Sequence, residues 1–430
     1  MKTFLRRTVV FLLTVEAQLV LSRYKPKIIA ITGNIGKTAA KDAIFAVVSA
    51  PHATRKSLKS FNSDIGVPLT ILGLDNPWSN PFLWFVTLSK GLLVLFRGAY
   101  PKLLVLEVGA DKPGDIRAIA SWLKPNIAVF TGVPKIPAHV GFFDSPEALV
   151  KEKSALFEYL KSDGILIANG DNEYTATLPK NTRQRFLTYG FDSKNTIAAS
   201  HAEIIYKDDR PVGMSTHIMA VNPIDLKIYG ALGKPCLYAA LAACAVAKAL
   251  EIDVSVAAKT LGEWEPTPGR MRILNGINDS AIIDDSYNSS PTPALSALET
   301  LKLVRGIRKI AVLGDMRELG TLSVKGHQEV GKYAAGVADV LITVGAESKV
   351  LAEAAREAGM SKESVREYEY GSAEKVGKVL AREVRPGDIV LIKGSQNKIR
   401  LERTVYELLA DTQKAEKLLV RYDSMWRSKA

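Results

Sequence analysis

The chain has 430 residues, of which 47% are apolar and 24% are charged. This composition is ordinary for a packed globular protein and excludes intrinsic disorder, a collagen-like repeat and a disulfide-dense scaffold, and the length predicts two or three domains. Lys and Arg number 57 against 45 Asp and Glu, a formal net charge of +12, which favours anionic partners such as nucleotides, nucleic acid or an anionic membrane surface.

The chain contains two cysteines, Cys236 and Cys244, which fall in one helical segment and form no Cys-x-x-Cys pair. A zinc site or a disulfide framework is therefore not expected. We expect two small buried side chains instead.

Residues 1–24 are predicted to form an N-terminal helix that combines basic and apolar residues. The apolar run from Val9 to Leu21 is shorter than the roughly 20 residues that span a bilayer, and Glu16 interrupts it. No small-residue cleavage site follows, so a signal peptide is not expected. The segment Pro81–Phe96 is similarly apolar. Two interpretations stay open: the two segments pack on each other, or they hold the protein against the inner face of the cytoplasmic membrane.

From Lys25 onward, short apolar runs alternate with stretches of helical periodicity, which is typical of α/β domains with parallel-rich sheets. Pro266-Thr267-Pro268-Gly269 separates two such series and indicates a hinge. We therefore predict a central domain over residues 25–267 and a C-terminal domain over residues 268–430. The predicted strands are Ile28–Thr32, Leu103–Leu106, Ile127–Thr131, Ile165–Ala168, Ala281–Ile283, Ile310–Leu313, Val340–Val344 and Ile389–Ile392.

A phosphate-binding loop is predicted at Thr32-Gly33-Asn34-Ile35-Gly36-Lys37-Thr38, because this sequence lies between a predicted strand and a predicted helix. In such a loop, backbone N–H groups and the helix dipole bind phosphate oxygens. We expect Gly33, Asn34 and Gly36 to form the cradle, Lys37 to neutralise the β- and γ-phosphates, and Thr38 to offer its hydroxyl to Mg²⁺. Ile31 stands where the usual pattern has its first glycine. The central domain is thus predicted to be a P-loop ATPase domain.

Glu107 ends an apolar strand in Leu103-Leu104-Val105-Leu106-Glu107. Ligands of open α/β sheets bind at the carboxyl ends of the strands, and Mg²⁺ prefers hard oxygen donors. We therefore interpret Glu107 as a Mg²⁺ ligand, with a capping or solvated carboxylate as the alternative.

Two further segments contain residues suited to a site, and each has a plain alternative. His139 follows a loop that contains prolines, where a histidine is commonly structural. Lys151-Glu152-Lys153 lies on a predicted helix and, by composition alone, indicates a solvated charged face.

Four polar loops of the C-terminal half lie at ends of predicted strands. Paired acids after a strand, as at Asp284 and Asp285, suit ribose hydroxyls, and together the four loops predict a cleft in a Rossmann-like α/β domain. The loops are Pro268-Gly269-Arg270-Met271, Asp284–Pro291, Gly314–Gly320 and Lys393–Lys398.

The order of these motifs resembles that of the Mur ligases, the ATP-dependent amide-forming enzymes of peptidoglycan precursor synthesis. The resemblance covers roughly residues 26–410 and rests on TGNIGKT, LEVGADKPGD, the His139 loop, Lys-x-Lys, PTPGRM, DDSYNSSP, GDMRELG and KGSQNK. Within the family it is strongest for the branch that joins D-alanyl-D-alanine to a UDP-muramoyl tripeptide. The resemblance implies that the enzyme is a monomer in the cytoplasm. It also implies a reaction through an acyl phosphate, with ADP and phosphate as products.

The resemblance also implies roles for individual residues. Thr38 and Glu107 would hold one Mg²⁺, and His139 would help to hold a second. Lys153, carbamylated, would supply oxygens to that second ion. In the C-terminal domain the resemblance implies ATP contact by Arg270, ribose binding by Asp285 and a position beside the nucleotide for Asn288.

The sequence departs from the family pattern in two places, and other functions stay open. About 25 residues precede the phosphate-loop strand, so we expect the family's N-terminal uridine-binding domain to be lacking. Gly233–Ala239 lacks the His and Asn residues that the family places there. One alternative is a related ligase acting on another carboxylate and amino acid, of the polyglutamate or cyanophycin type. The other is a P-loop NTPase module, but no basic–aromatic motif supports a nucleic-acid partner.

Overall fold

The computed structural model describes residues 3–58, 61–78, 80–137, 142, 143, 145–178, 184–394, 399–423 and 426. The helices of this part of the chain are α1 Thr3–Tyr24, α2 Lys37–Ser49, α3 Gly66–Leu72, α4 Pro81–Val94, α5 Asp115–Leu123, α6 Pro146–Glu158, α7 Lys234–Ala249, α8 Val254–Gly262, α9 Pro291–Leu303, α10 Ser323–Ala335, α11 Ser348–Glu357, α12 Ala373–Ala381, α13 Glu402–Leu408 and α14 Ala415–Leu418. The strands are β1 Lys27–Thr32, β2 Thr54–Lys56, β3 Leu103–Glu107, β4 Ile127–Phe130, β5 Ile165–Asn169, β6 Arg185–Gly190, β7 Ile197–Ala198, β8 Glu203–Lys207, β9 Arg210–Ile218, β10 Ile224–Tyr229, β11 Arg272–Asn275, β12 Ala281–Asp285, β13 Arg308–Gly314, β14 Val340–Val344, β15 Val365–Tyr368 and β16 Asp388–Lys393.

The first sheet has seven strands in the order β2-β3-β1-β4-β5-β6-β7, and every pair is parallel. Its central strands β1, β3, β4 and β5 are buried almost along their whole length because helices cover both faces. Helices α2, α7 and α8 pack on one face, and α1, α3, α4, α5 and α6 contribute to the core on the other. The predicted α/β class with a parallel-rich sheet is confirmed. The order places the ends of β1 and β3 side by side, so the loops that follow them share one edge.

The second sheet has the order β11-β12-β16-β13-β14-β15 and is parallel except for the edge strand β11. Helices α9, α10 and α11 cover one face, whereas α12, α13 and α14 cover the other. This is the doubly wound arrangement expected for a Rossmann-like domain. Because β11 runs antiparallel to β12, the segment that precedes β11 lies next to the loop that follows β12.

A three-stranded antiparallel sheet, β10-β9-β8, lies between the two parallel sheets in the sequence and was not predicted. Its alternating pattern is visible in β10, where Leu226 and Ile228 are buried and their neighbours are not. The sheet contacts the C-terminal half of the chain, because the Tyr206 hydroxyl accepts a hydrogen bond from the Arg305 N–H at 2.9 Å. It therefore helps to fix the two parallel sheets relative to each other.

The two apolar segments of the N-terminal half form α1 and α4, which pack on each other and on the core. Val9, Leu13, Ala17 and Val20 of α1 are buried in the same cluster as Trp84 of α4. Among the described helices, none combines the length and the apolar character that a bilayer span requires. The predicted mutual packing of the two segments is thus observed.

Glu16 of α1 is buried in this packing, with its side chain against Gly91 of α4. Its Oε2 atom has no hydrogen-bond partner within the described ranges. Burial without a partner disfavours the charged form and raises the pKa of this carboxyl to about 7.

We expect the Glu16→Gln variant to melt at a higher temperature than the wild type at pH 8, and at nearly the same temperature at pH 5. A carboxyl whose pKa is higher in the folded than in the unfolded state costs stability as pH rises from about 4.5 to about 7. The amide lacks this cost, so a difference of a few degrees should develop across that interval. Thermal unfolding at both pH values measures it. The matched control is Glu353→Gln on the exposed side of α11. An equal effect at both pH values would contradict burial of a titrating carboxyl.

Candidate active site

The phosphate loop joins β1 to α2, and the neighbouring strand β4 holds it. The Asn34 N–H donates to the Gly132 carbonyl at 2.8 Å, and the Thr131 hydroxyl donates to the Ile35 carbonyl at 2.5 Å. A Cβ on Gly33 would lie 2.2 Å from the Thr131 hydroxyl oxygen, so only glycine fits there. Gly36 has a left-handed φ of 73° and precedes α2 without a side-chain cap. The first N–H groups of α2 are therefore available to an anion.

Lys37 is the first residue of α2 and is half-buried above this cradle. Burial lowers the pKa of its ammonium, the Glu107 carboxylate opposes the shift, and repulsion from Arg270 adds to it. The Lys37 ammonium is thus within electrostatic range of Glu107 and of Arg270, which come from different parts of the sequence. The negative charge of a bound triphosphate would offset the repulsion between the Lys37 and Arg270 cations.

Glu107, at the end of β3, and Thr38, in the first turn of α2, form a buried pair of oxygen donors. The Thr38 hydroxyl donates to Glu107 Oε2 at 3.0 Å, and the Asn62 amide donates to Oε1 at 3.0 Å. Glu107 is only 2% exposed. Within the described residues, His, Cys, Asp and Glu form no group of three that could hold a metal. One carboxylate and one hydroxyl beside a phosphate site nevertheless fit Mg²⁺, which commonly takes few protein ligands and completes its shell with phosphate and water.

Lys153 of α6 is buried and within electrostatic range of Lys37 and Glu107, whereas Lys151 is exposed. The interpretation of this segment as a solvated face is therefore wrong for Lys153. Burial lowers the pKa of the Lys153 amine to about 7, and repulsion from Lys37 contributes.

Glu152, between the two lysines, fixes the orientation of α6. Its carboxylate accepts hydrogen bonds from the N–H groups of Gly114 at 2.9 Å and Ile116 at 2.7 Å, at the start of α5. A carboxylate at a helix N-terminus is stabilised there by the unpaired donors and the dipole. This contact fixes the rotation of α6 at which the Lys153 side chain is buried.

Arg270 lies just before β11, and its charge acts on Lys37 at the start of α2. Its guanidinium lies 4.1 Å from the centroid of the Tyr287 ring, and Arg421 lies 4.8 Å from the same centroid. Arg421 also donates to the Tyr287 carbonyl at 2.6 Å. Arg421 was not predicted as part of the site, and no local motif marks it, since its position depends on the fold of the last residues of the chain.

Asp285 lies at the end of β12, where the parallel register places it beside Lys393 of β16. The Lys393 ammonium donates to the Asp285 carboxylate, and the pair is almost completely buried. The Met271 N–H also donates to Asp285, at 3.2 Å. Asp285 therefore has two partners within the protein, and its pairing with Lys393, the first residue of the predicted loop Lys393–Lys398, was not predicted.

Asp284 and Asn288 stabilise the same loop. Asp284 accepts hydrogen bonds from the N–H groups of Gly269 at 3.2 Å and Ser286 at 3.1 Å, and burial raises the pKa of its carboxyl to about 6. Asn288 accepts a bond from the Ser289 N–H at 2.8 Å. The segments around Arg270 and Asn288 thus meet, as the strand order requires.

Other predicted site residues lie elsewhere or outside the described part. Asp315, in the loop after β13, is buried and accepts a hydrogen bond from the Ser348 N–H at 2.7 Å, which is a structural role. His139 and residues 395–398 lie outside the described residues. Cys236 and Cys244 are buried on α7, and burial raises the pKa of each thiol to about 12.

A glycine turn between β1 and α2, a buried Thr38–Glu107 oxygen pair beside it and a doubly wound second sheet are typical of nucleotide-dependent enzymes built from α/β domains. The family model of the Mur ligase middle domain matches residues 31–247, and that of the Mur ligase glutamate ligase domain matches residues 269–396. The chain belongs to the Mur ligase family.

Relatives and solved structures extend the likeness over most of the chain. The UDP-N-acetylmuramoyl-tripeptide–D-alanyl-D-alanine ligases of Bacillus subtilis and Synechocystis are 27% identical over 385 residues and 28% identical over 397 residues. These matches cover 89% and 90% of this chain and 76% of each relative. The crystal structure of the MurF ligase from Thermotoga maritima in complex with ADP superposes with a TM-score of 0.76 at 24% identity, over 95% of this chain and 84% of that one.

Proposed function

We propose that this protein is an ATP-dependent ligase that joins D-alanyl-D-alanine to a UDP-N-acetylmuramoyl tripeptide through an amide bond. The observation that carries the proposal is the convergence of Lys37, the Thr38–Glu107 pair and the buried Lys153 on one phosphate loop, in a chain whose relatives are named as this ligase. ADP and phosphate are the other products.

The reaction brings two anions together, the carboxylate of the tripeptide and the triphosphate of ATP. The carboxylate of the tripeptide attacks the γ-phosphorus of ATP, which forms an acyl phosphate and releases ADP. The amine of D-alanyl-D-alanine then attacks the acyl carbon, and the tetrahedral intermediate collapses to an amide and phosphate. Lys37 and the N–H groups at the start of α2 offset the repulsion between the carboxylate and the triphosphate. Arg270 adds a second cation from the C-terminal domain.

Magnesium ions would complete this charge balance. Thr38 and Glu107 would hold one ion, and its chemistry is to draw electron density from the phosphate oxygens. His139 and Lys153 belong to a second ion site in this proposal. A lysine ammonium cannot ligate a cation, so Lys153 would act as a carbamate, which offers two oxygens.

The C-terminal domain would contribute nucleotide contacts and exclude water. In this proposal Arg270, whose charge acts on Lys37, would contact the phosphates, and Asp285 and Asn288 would lie beside the ribose and base. Asp285 is paired with Lys393, so a ribose hydroxyl would join an existing hydrogen-bond network. Closure of this domain over ATP would shield the acyl phosphate from hydrolysis. We place the reaction in the cytoplasm and assign it to a monomer.

Phosphate release from ATP tests the proposal. We expect release only when a UDP-muramoyl tripeptide and D-alanyl-D-alanine are both present, with a pentapeptide product whose mass equals the two substrates minus water. Tripeptides that differ in the third residue should be compared. Turnover with glutamate or aspartate as the sole amine would instead favour the polyglutamate- or cyanophycin-type ligase. ATP hydrolysis stimulated by nucleic acid, without an amine, would contradict both ligases.

A further inference from the structure

The outward surfaces of α1 and α4 are apolar, where a helix on the surface of a globular protein ordinarily carries charge. The exposed fraction is 66% for Phe11, 70% for Phe85 and 80% for Phe96. We call this surface the apolar plate, and its members are Phe4, Phe11, Leu12, Val15, Leu19, Phe82, Phe85, Leu92, Leu93 and Phe96.

The plate is one continuous surface because the two helices lie side by side in the same layer. Both bury their opposite faces in one core cluster, through Leu13 on α1 and Trp84 on α4. The Tyr24 hydroxyl, at the end of α1, contacts the carbonyl of Val94 at 2.9 Å and that of Arg97 at 2.6 Å, at the end of α4. The helices are thus joined at the middle and at one end, and each exposes the face opposite to the core that they share.

The exposed charge contributed by the two segments that form the plate is of one sign. Within residues 3–27 and 81–102 the only acidic residue is Glu16, and it is turned into the core at 5% exposure. Arg6 is paired with Asp64 at 2.7 Å. The remaining basic residues of the two segments are exposed around the plate, namely Arg7, Arg23, Lys25, Lys27, Lys90, Arg97 and Lys102.

A groove of about 300 Å³ borders the plate between α1 and α5. Gln18 and Leu21 of α1 line it, together with Trp122. Gln18 projects about 200° around the helix from Glu16, so the groove lies on the side of α1 away from α4. Three lysines from separate segments also line it: Lys25, Lys124 and Lys161. All three are exposed.

We propose that the apolar plate binds the anionic surface of a lipid bilayer, and that the lysine-lined groove receives lipid phosphate headgroups. Phenylalanine and leucine side chains on an in-plane helix enter the boundary between headgroups and acyl chains. Lysine and arginine beside them attract anionic lipids. A second copy of this chain is a poorer occupant, because a symmetric contact would bring the basic residues of both copies together. The inference is independent of the ligase reaction.

Co-sedimentation of the full chain with vesicles tests the proposal. We expect binding to vesicles of phosphatidylglycerol and phosphatidylcholine, weaker binding to phosphatidylcholine alone, and a decrease with salt because exposed charges are screened. The Phe82→Gln/Phe85→Gln variant should lose affinity by about tenfold or more, because binding scales with the apolar area that enters the bilayer. The Lys124→Glu/Lys161→Glu variant should lose the preference for phosphatidylglycerol.

The matched control is Ile307→Gln, which removes an apolar side chain that is 82% exposed in the loop before β13. It should bind as the wild type does. Thermal unfolding of each variant shows whether it is folded, and a folded plate variant that binds as tightly as the wild type would overturn the proposal. Absence of wild-type binding to phosphatidylglycerol vesicles at low salt would also overturn it. Light scattering gives a further test. A wild-type dimer that the Phe82→Gln/Phe85→Gln change dissociates would overturn the proposal, because the plate would then be an interface between copies.

Discussion

The Lys37→Ala variant is expected to lose ATP-dependent amide formation by at least about a thousandfold, because preorganised charges at a phosphoryl-transfer site account for much of the rate. Lys37 is held at the start of α2, within the electrostatic influence of Glu107 and Arg270. Alanine removes the cation but keeps the helix, since Ala has the highest helix propensity. The fold should therefore persist.

Phosphate release under saturating substrates measures the loss, and circular dichroism with thermal unfolding confirms the fold. The matched control is Lys27→Ala, which removes an exposed lysine at the opposite end of β1. Its turnover should stay near the wild-type value. Near-normal turnover of folded Lys37→Ala would contradict the assignment of this loop to ATP phosphates.

The sequence predicts the phosphate loop well because its determinants are local. A buried strand, glycines in a turn and a helix start are all encoded within about a dozen residues. The departure at Ile31 also has a local explanation in the structure. Ile31 is completely buried in β1, and the close approach between segments falls on Gly33 instead, against Thr131.

The burial of charged residues could not be predicted from composition. Lysines are almost never fully buried unless paired, so Lys151 and Lys153 looked equivalent in the sequence. In the structure Lys151 is exposed and Lys153 is buried. The reason is the orientation of α6, which is fixed by the hydrogen bonds that the Glu152 carboxylate accepts from the start of α5. Lys393 is a second example. It pairs with Asp285 only because β16 lies beside β12 in the sheet, and that strand order is not encoded near either residue.

The Lys153→Ala variant is expected to lose at least about a hundredfold of its turnover, since removing a metal-site group commonly costs that much. A short carboxylic acid such as acetate should restore part of it. The neutral amine of a lysine attacks carbon dioxide, forms an N–C bond and loses a proton, which leaves a carbamate anion. An ordinary lysine with a pKa near 10.4 is about 0.1% neutral at pH 7.4. Burial and repulsion from Lys37 lower the pKa of Lys153 to about 7, so most of this amine is neutral there.

A carbamate anion at Lys153 also lacks the repulsion that the ammonium form has with Lys37, and it attracts the Lys37 cation instead. The wild-type enzyme should therefore lose activity when carbon dioxide and bicarbonate are removed, and recover it when they return. With ¹³C-labelled bicarbonate, NMR should detect a carbamate signal that is absent from Lys153→Ala. The matched control is Lys151→Ala, two residues earlier on the exposed side of α6, which should behave as the wild type does. Full turnover of Lys153→Ala in bicarbonate-free buffer would refute the carbamate. Equal carbamate signals from both lysine variants would place the modification on another residue.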